Sequence, residues 1–410
     1  QLPVGRMRAR RAYFLAIAAG ILIAALYTGE KIYYLALFIM AGMVLLSLIT
    51  AFITYYRLSY LQTLTPSSGI KGEDVTLRVE IHNDYLFPFP LVVLYYDLPE
   101  NWLSSTSLTD AASVLPRSRY ELTRSVRCRY RGRYPVGLRS ARFTDLFGLY
   151  AFTIRFDRLS YHRPLTLLVR PRVVPLSRLP LPVRESEGQV RSRMRVSDYM
   201  TQMAEPRKYR AGDPLKKMHW KLTVRNRELI VKDYEQSSQP QVTLYLDSRK
   251  TGLPGIEGVA LEDMLVECAT AVANHVIDRG YPFRLIAYAP DRRELAASRP
   301  GDFAAVYELL SDIAFTGEYP LHDVLIWELK HIGREGCLFI VAQDITASAF
   351  DTLMLLRRSG VLITVIWVYS SAARWSSEAG RMVREMRDKD IPVLTVTPQD
   401  DLAVKAEALR

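Results

Sequence analysis

Two aspartates stand at the kind of position where an α/β protein does its chemistry. Asp247 closes the apolar run "QPQVTLYLDS" (Gln239–Ser248), and Asp344 closes "CLFIVAQD" (Cys337–Asp344). Carboxylates at the carboxyl ends of buried strands can hold a hard cation through oxygen. A second candidate is "EPRKYRAGDPLKKMHWK" (Glu205–Lys221), which crowds charges, a Gly-Asp-Pro turn and a His-Trp pair together. Asp213 before Pro214 predicts a helix start, an N-cap followed by a residue already at helical φ. Leu215, Met218, His219 and Leu222 then recur on one face. A histidine on an apolar helix face and an aspartate before proline are ordinarily structural. No nucleophile or partner base stands near them, so this stretch reads as a clasp and not a catalytic centre.

Absent motifs narrow the chemistry further. The chain has no G-x-G-x-x-G, Walker-A loop, H-E-x-x-H or G-x-S-x-G, which argues against nucleotide, zinc-protease and α/β-hydrolase activities. Cys128, Cys268 and Cys337 are too widely spaced for a disulfide framework or a thiolate metal site, and a reducing compartment is expected.

The elements that must position these residues fall into four segments. Residues 236–410 alternate continuous apolar strands with helices (259–279, one or two in 302–332, 347–358 and 378–389), which predicts a mostly parallel, doubly wound sheet. Residues 176–235 begin as a Pro-, Arg- and Ser-rich linker and end in "RELIVKDYE" (Arg227–Glu235), which alternates like a strand. Residues 58–175 carry short alternating runs such as "VTLRVEIHN" (Val75–Asn83) between turn residues, a small all-β domain of Ig-like sandwich type. Within it, "RGRYPVGLRSARFTDLFGLY" (Arg131–Tyr150) reads as a Gly-turn hairpin followed by a Gly-containing bend.

Residues 1–57 hold two uncharged stretches, Ala12–Tyr27 and Ile32–Tyr56, separated by "TGEK". They predict a transmembrane helical hairpin, against the alternative of a signal peptide. Arg6, Arg8, Arg10 and Arg11 precede the first span, so the positive-inside rule places the N-terminus and everything after Arg57 in the cytoplasm. The chain begins at Gln1 in place of Met, and an upstream start is expected.

The formal charge of +11 is concentrated in the middle of the chain. Residues 114–235 hold 28 Lys or Arg against 11 acids, whereas 236–410 hold 18 against 24. Arginines alternating along strands are usually one solvated sheet face. Close to an inner leaflet such a face also attracts anionic lipid. No aromatic-plus-basic RNA-binding motif accompanies them, which argues against nucleic acid.

Arg207-Lys208-Tyr209, Gly212-Asp213, His219-Trp220-Lys221, Arg225 and "ELIVKDYE" together resemble the signature of DUF58, a bacterial domain of unknown function. The upstream Arg131–Tyr150 stretch is similar to an R-G-x-Y…D-x-F-G-L element found ahead of that core. The resemblance implies a multi-pass protein of the bacterial cell membrane whose C-terminal domain is von Willebrand factor A-like. Such domains can hold Mg²⁺ at a site beginning D-x-S-x-S. The corresponding residues would be Asp247 and Thr251, with Asp344 as the later acidic ligand. Arg249, however, stands where the first serine belongs and supplies no oxygen, so the site is degenerate. The family also implies a protein partner, a MoxR-type AAA+ ATPase or a transglutaminase-like membrane protein. The expected function is a membrane-anchored, non-enzymatic adaptor or assembly factor. The alternatives are a divalent-metal-dependent binder or enzyme at the strand ends, and an anionic-lipid or nucleic-acid binder using the basic middle region.

Overall fold

The computed structural model describes residues 4–98, 109–145, 147–158, 163–176, 202–203, 207–208, 223–224, 228–231, 234–235, 241–328, 336–370 and 377–407. The chain divides into two compact units, Gln1–Arg172 and Val173–Arg410.

The first unit opens with helices α1 (Val4–Thr28) and α2 (Lys31–Arg57), joined by a two-residue turn. Both are long and apolar enough to cross a membrane, over Ala9–Thr28 and Lys31–Arg57. The last turns of α2 depart from a uniform membrane helix. Ser47, Thr50, Ala51 and Thr54 recur at i, i+3, i+4 and i+7 and are buried inside the unit.

The strands that follow alternate as the residue pattern predicts. β1 (Ser59–Thr65), β3 (Asp74–Asn83) and β6 (Ser118–Arg127) form an antiparallel sheet in the order β1-β3-β6. The second sheet runs β2 (Ser68–Ile70), β9 (Leu165–Arg170), β7 (Gly132–Thr144), β4 (Phe89–Asp97), β5 (Thr109–Val114), with β8 (Ala151–Arg155) paired to β7. β2 and β9 are parallel; the remaining pairs are antiparallel. Val75, Leu77, Val79 and Ile81 of β3 share one apolar core with Phe89, Val92 and Leu94 of β4. Each such side chain contributes about 1.5–3 kcal/mol by leaving water.

The Gly-turn hairpin expected after Arg131 is not there. β7 is one 13-residue strand that pairs with β9 through residues 132–136 and with β4 and β8 further on. Gly137, at φ +145°, pairs with Asp97 inside the strand instead of making a turn, and the register shift between Tyr95 and Tyr96 falls at Arg139, between Leu138 and Ser140. A Cβ at Gly137 would stand 2.6 Å from Oε1 of Gln62, the oxygen that accepts the Leu138 N–H at 3.0 Å. The Gly-containing bend is present as the β7–β8 loop. There the Asp145 carboxylate accepts from the Tyr150 N–H at 2.6 Å and from the Ser47 hydroxyl of α2.

One polar clamp ties the two sheets together. Arg124 of β6 forks onto Asp110 of β5, its Nε donating at 2.5 Å, and the Tyr96 hydroxyl donates to the same carboxylate at 2.9 Å. The Arg124 hydrogen bond holds the Asp110 carboxyl below its usual range. A depressed carboxylate stabilises the fold above its unfolded pKa, and this contribution is lost as pH falls through the folded value. Arg124→Ala is therefore expected to lower stability at neutral pH by about 1.5–3 kcal/mol, the worth of a charged hydrogen-bond pair. The gap to wild type should close as pH falls below about 4. Parallel urea melts across pH read both effects, and a gap that persists in acid would mean the pair is not the cause.

The second unit contains two two-residue ladders, β10 (Gln202–Met203) with β13 (Tyr234–Glu235) and β11 (Arg207–Lys208) with β12 (Ile230–Val231). Its main sheet has six strands: β14 (Val242–Leu246), β15 (Phe283–Tyr288), β16 (Arg292–Ala297), β17 (Cys337–Ala342), β18 (Leu362–Val368) and β19 (Val393–Val396). They lie in the order β16-β15-β14-β17-β18-β19, all parallel except β16. β14 and β17 are buried along their whole length, as continuous apolar strands must be when both faces are covered. Helices α3 (Gly255–Asp278), α4 (Phe303–Asp312) and α8 (Leu402–Glu407) bury one face. Helices α5 (Leu321–Glu328), α6 (Ala347–Arg358) and α7 (Ser377–Asp388) bury the other. Strand order reverses between β14 and β17, so a crevice opens at the carboxyl ends of those two strands.

Candidate functional site

Asp247 follows β14 directly, and its N–H still donates to Val341 of β17 at 2.8 Å. The carboxylate is fully buried at the switch point. Two residues on, the chain folds Arg249 back over it. Arg249 Nε donates to Oδ1 and Nη2 to Oδ2, both at 2.8 Å, a planar fork on a planar carboxylate. The Arg249 N–H adds a 3.2 Å bond to Oδ1, and the Gln343 N–H a longer 3.4 Å contact to Oδ2. The hydrogen bond to Asp247 raises the guanidinium pKa above its usual value, against the opposing effect of burial.

The loop carrying this pair is pinned from several sides. Gln343 Nε2 donates to the Arg249 carbonyl at 2.9 Å, and the Ser248 hydroxyl to the Tyr288 carbonyl at 2.6 Å. Gly317 donates to the Ser248 carbonyl at 3.0 Å and accepts from the Lys250 N–H at 3.2 Å. The Thr251 hydroxyl donates to Glu262 of α3 at 3.1 Å. Above the loop lies a cleft of about 650 Å³, lined among others by Arg249, Lys250, Glu318, Asp344, Trp367 and Tyr369.

The residues expected to form a cation site are therefore arranged around a cation the chain supplies itself. Both Asp247 oxygens face the guanidinium, Thr251 is turned to Glu262, and Asp344 is exposed with its carbonyl 3.5 Å from Arg249 Nη2. A divalent ion needs the oxygens that Arg249 holds, so the donor set as it stands does not fit one. Among the described residues, no group of three or more His, Cys, Asp or Glu is placed to hold a metal.

The signature residues are reached only in part. Arg207 lies on β11, where it pairs across from Val231. Tyr209, Gly212, Asp213, His219, Trp220, Lys221 and Arg225 lie outside the described residues, as does the helix expected from Asp213 onward. Sequence reasoning passed over Gln343, Lys250, Glu262 and Glu318. Gln343 was within reach, because it immediately precedes Asp344 at a strand end. Glu262 and Glu318 are joined to the site only by the packing of α3 and of the loop before α5.

A family model described as "Protein of unknown function DUF58" matches residues 205–370, which include Asp247, Arg249, Thr251 and Asp344. No curated protein matches the chain. Among solved structures, a mutant beta-glucosidase from Listeria innocua in complex with laminaribiose is 9% identical, with a TM-score of 0.15. A beta-glucosidase from Listeria innocua in complex with gluconolactone is 10% identical, with a TM-score of 0.14. In both, the match covers 24% of this chain and 16% of the other. The chain thus spans about a sixth of those structures, and the overlaps bear on neither fold nor function.

Proposed function

Given that the chain carries a DUF58 domain over residues 205–370, we propose that it is a membrane-anchored, non-enzymatic adaptor that docks a protein partner in the cleft above Arg249. The observation that carries this reading is the Asp247–Arg249 fork. Among the described residues it commits the fully buried acid at the strand ends, Asp247, to an internal ion pair, so that acid is engaged neither as a base nor as a ligand. What remains at the crevice is a walled surface of mixed charge with two aromatic side chains. Such a surface is suited to recognition.

The six-strand order, with only the third strand in sequence antiparallel, supports reading the second unit as von Willebrand factor A-like. The shared core of the two N-terminal sheets supports an Ig-like sandwich. The arginines before the first uncharged stretch, in the opening turns of α1, support a cytoplasmic location for both. On the same reading the partner is a protein of the same membrane system, a MoxR-type AAA+ ATPase or a transglutaminase-like membrane protein.

Affinity capture of the full-length protein in mild detergent, with ATP and Mg²⁺ present, tests this. An AAA+ ATPase should be enriched with wild type and lost, at unchanged melting temperature, with Lys250→Glu. Recovery of the same partner by Lys250→Glu would move the interface away from the cleft. Capture of nothing above background would remove the adaptor reading.

A further inference from the structure

The end of α2 presents an apolar surface that the fold leaves open on one side. Arg11 of α1 donates to the Leu149 carbonyl, and its guanidinium lies 4.9 Å from the Tyr150 ring. Ser47 of α2 donates to Asp145 of the same loop. These contacts place Arg11 and Ser47 at one level of the hairpin. From that level to the turn, each helix runs about 17 residues, or roughly 25 Å at 1.5 Å per residue. That is close to the hydrocarbon thickness of a bilayer, about 30 Å.

Helix α2 continues ten residues beyond this level, to Arg57. Over those turns one side is buried in the unit, while the other exposes Leu48 (38%), Phe52 (63%), Tyr55 (45%) and Tyr56 (65%). Phe152 of β8 is 36% exposed beside them and stacks on the buried Phe143 at 5.7 Å. Between these residues runs a groove of about 360 Å³, lined by Leu48, Ala51, Phe52, Tyr55, Tyr56 and Phe152. The exposed stripe is unbroken from the membrane-length part of the helix, through Leu45, Leu48, Ile49 and Phe52. Whatever covers Leu45 and Ile49 therefore extends over the groove, and aromatic side chains at that depth belong to the interfacial belt.

We propose that the corner formed by Phe147–Phe152 and the last three turns of α2 is a lip set in the headgroup layer, whose groove holds an acyl chain of a bilayer phospholipid. The inference rests on the membrane-anchor reading of α1 and α2, and it makes the first β unit a partly embedded body. It is not a domain hung from a linker.

Full-length protein in phospholipid vesicles, labelled with a fluorophore at one introduced cysteine, tests it. Cys128, Cys268 and Cys337 are buried and leave the new thiol as the reactive one. Phe152→Cys reports on the groove. Phe38→Cys, mid-helix and 78% exposed, reports on the anchor, and Arg127→Cys reports on the far end of β6. Lipid bearing a nitroxide near the head of its acyl chain should quench the label at 152 several-fold more than at 127, and iodide should reach 127 only. If 38 is quenched by lipid while 152 behaves like 127, the lip is overturned and the anchor stands. If 38 is also unquenched, the anchor reading itself fails and takes the lip with it. A label at 152 shielded from both quenchers would mean that a protein fills the groove, which also overturns the proposal.

Discussion

Arg249→Ala is expected to lower the unfolding free energy by about 3–5 kcal/mol, the cost of leaving a buried carboxylate without its partner. Asp247 is fully buried, and after the substitution the Gln343 N–H and the backbone N–H of residue 249 would be the donors left facing it among the described residues. Asp247→Ala should cost less. The guanidinium it frees is already 20% exposed at the cleft and can turn into water. The double substitution should recover part of the Arg249→Ala loss, because it removes both charges together. Denaturant melts of the full-length protein and its three variants close the cycle. A loss under about 1 kcal/mol for Arg249→Ala would mean that the ion pair does not organise the strand ends, because broken buried pairs cost several times that.

Arg249→Ser should convert the site into a cation binder. It would remove the internal guanidinium and complete an Asp247-x-Ser-x-Thr251 run, with Asp344 across the crevice. Wild type is expected to show no change in melting temperature with Mg²⁺ or Mn²⁺, because its acid oxygens are held by nitrogen donors 2.8 Å away. The variant should melt lower without metal and rise as metal is added. Saturation at about a hundred times the dissociation constant would return some 2.7 kcal/mol. Adding Asp247→Ala should abolish the response. A variant that ignores both ions would show that the loop cannot present these oxygens to a metal even when the arginine is gone. A wild type that responds would revive the metal-dependent reading of the native site.

The adaptor reading and the lip make different demands on the molecule. The first needs a free cleft in the second unit, and the second needs a bilayer around the first unit. Lys250→Glu and Phe152→Cys therefore address separate surfaces, and neither result prejudges the other.

Much of the frame was legible from residue order, because it depends on neighbours a few positions apart. Alternation at Val75, Leu77, Val79 and Ile81 specifies a strand with one buried face, and all four are buried. Continuous apolar runs at 242–246 and 337–342 specify strands covered on both sides, and they put Asp247 and Asp344 at strand ends. Two long uncharged stretches specify two apolar helices. What depends on distant partners was not legible. The run "RRELAA" carries no strand signal of its own, and β16 exists because β15 offers it an edge. Gly137 reads as a turn until β4 and β9 hold both halves of β7 in line.

The polar face at Ser47, Thr50 and Thr54 looks like an ordinary helix until the loop at Asp145 packs on it. The site divides in the same way. The family resemblance put an arginine where an oxygen ligand would belong. Only the tertiary structure turned it onto Asp247, because the buried carboxylate, cut off from water, is stabilised by the nearest cation, and Arg249 is two residues away.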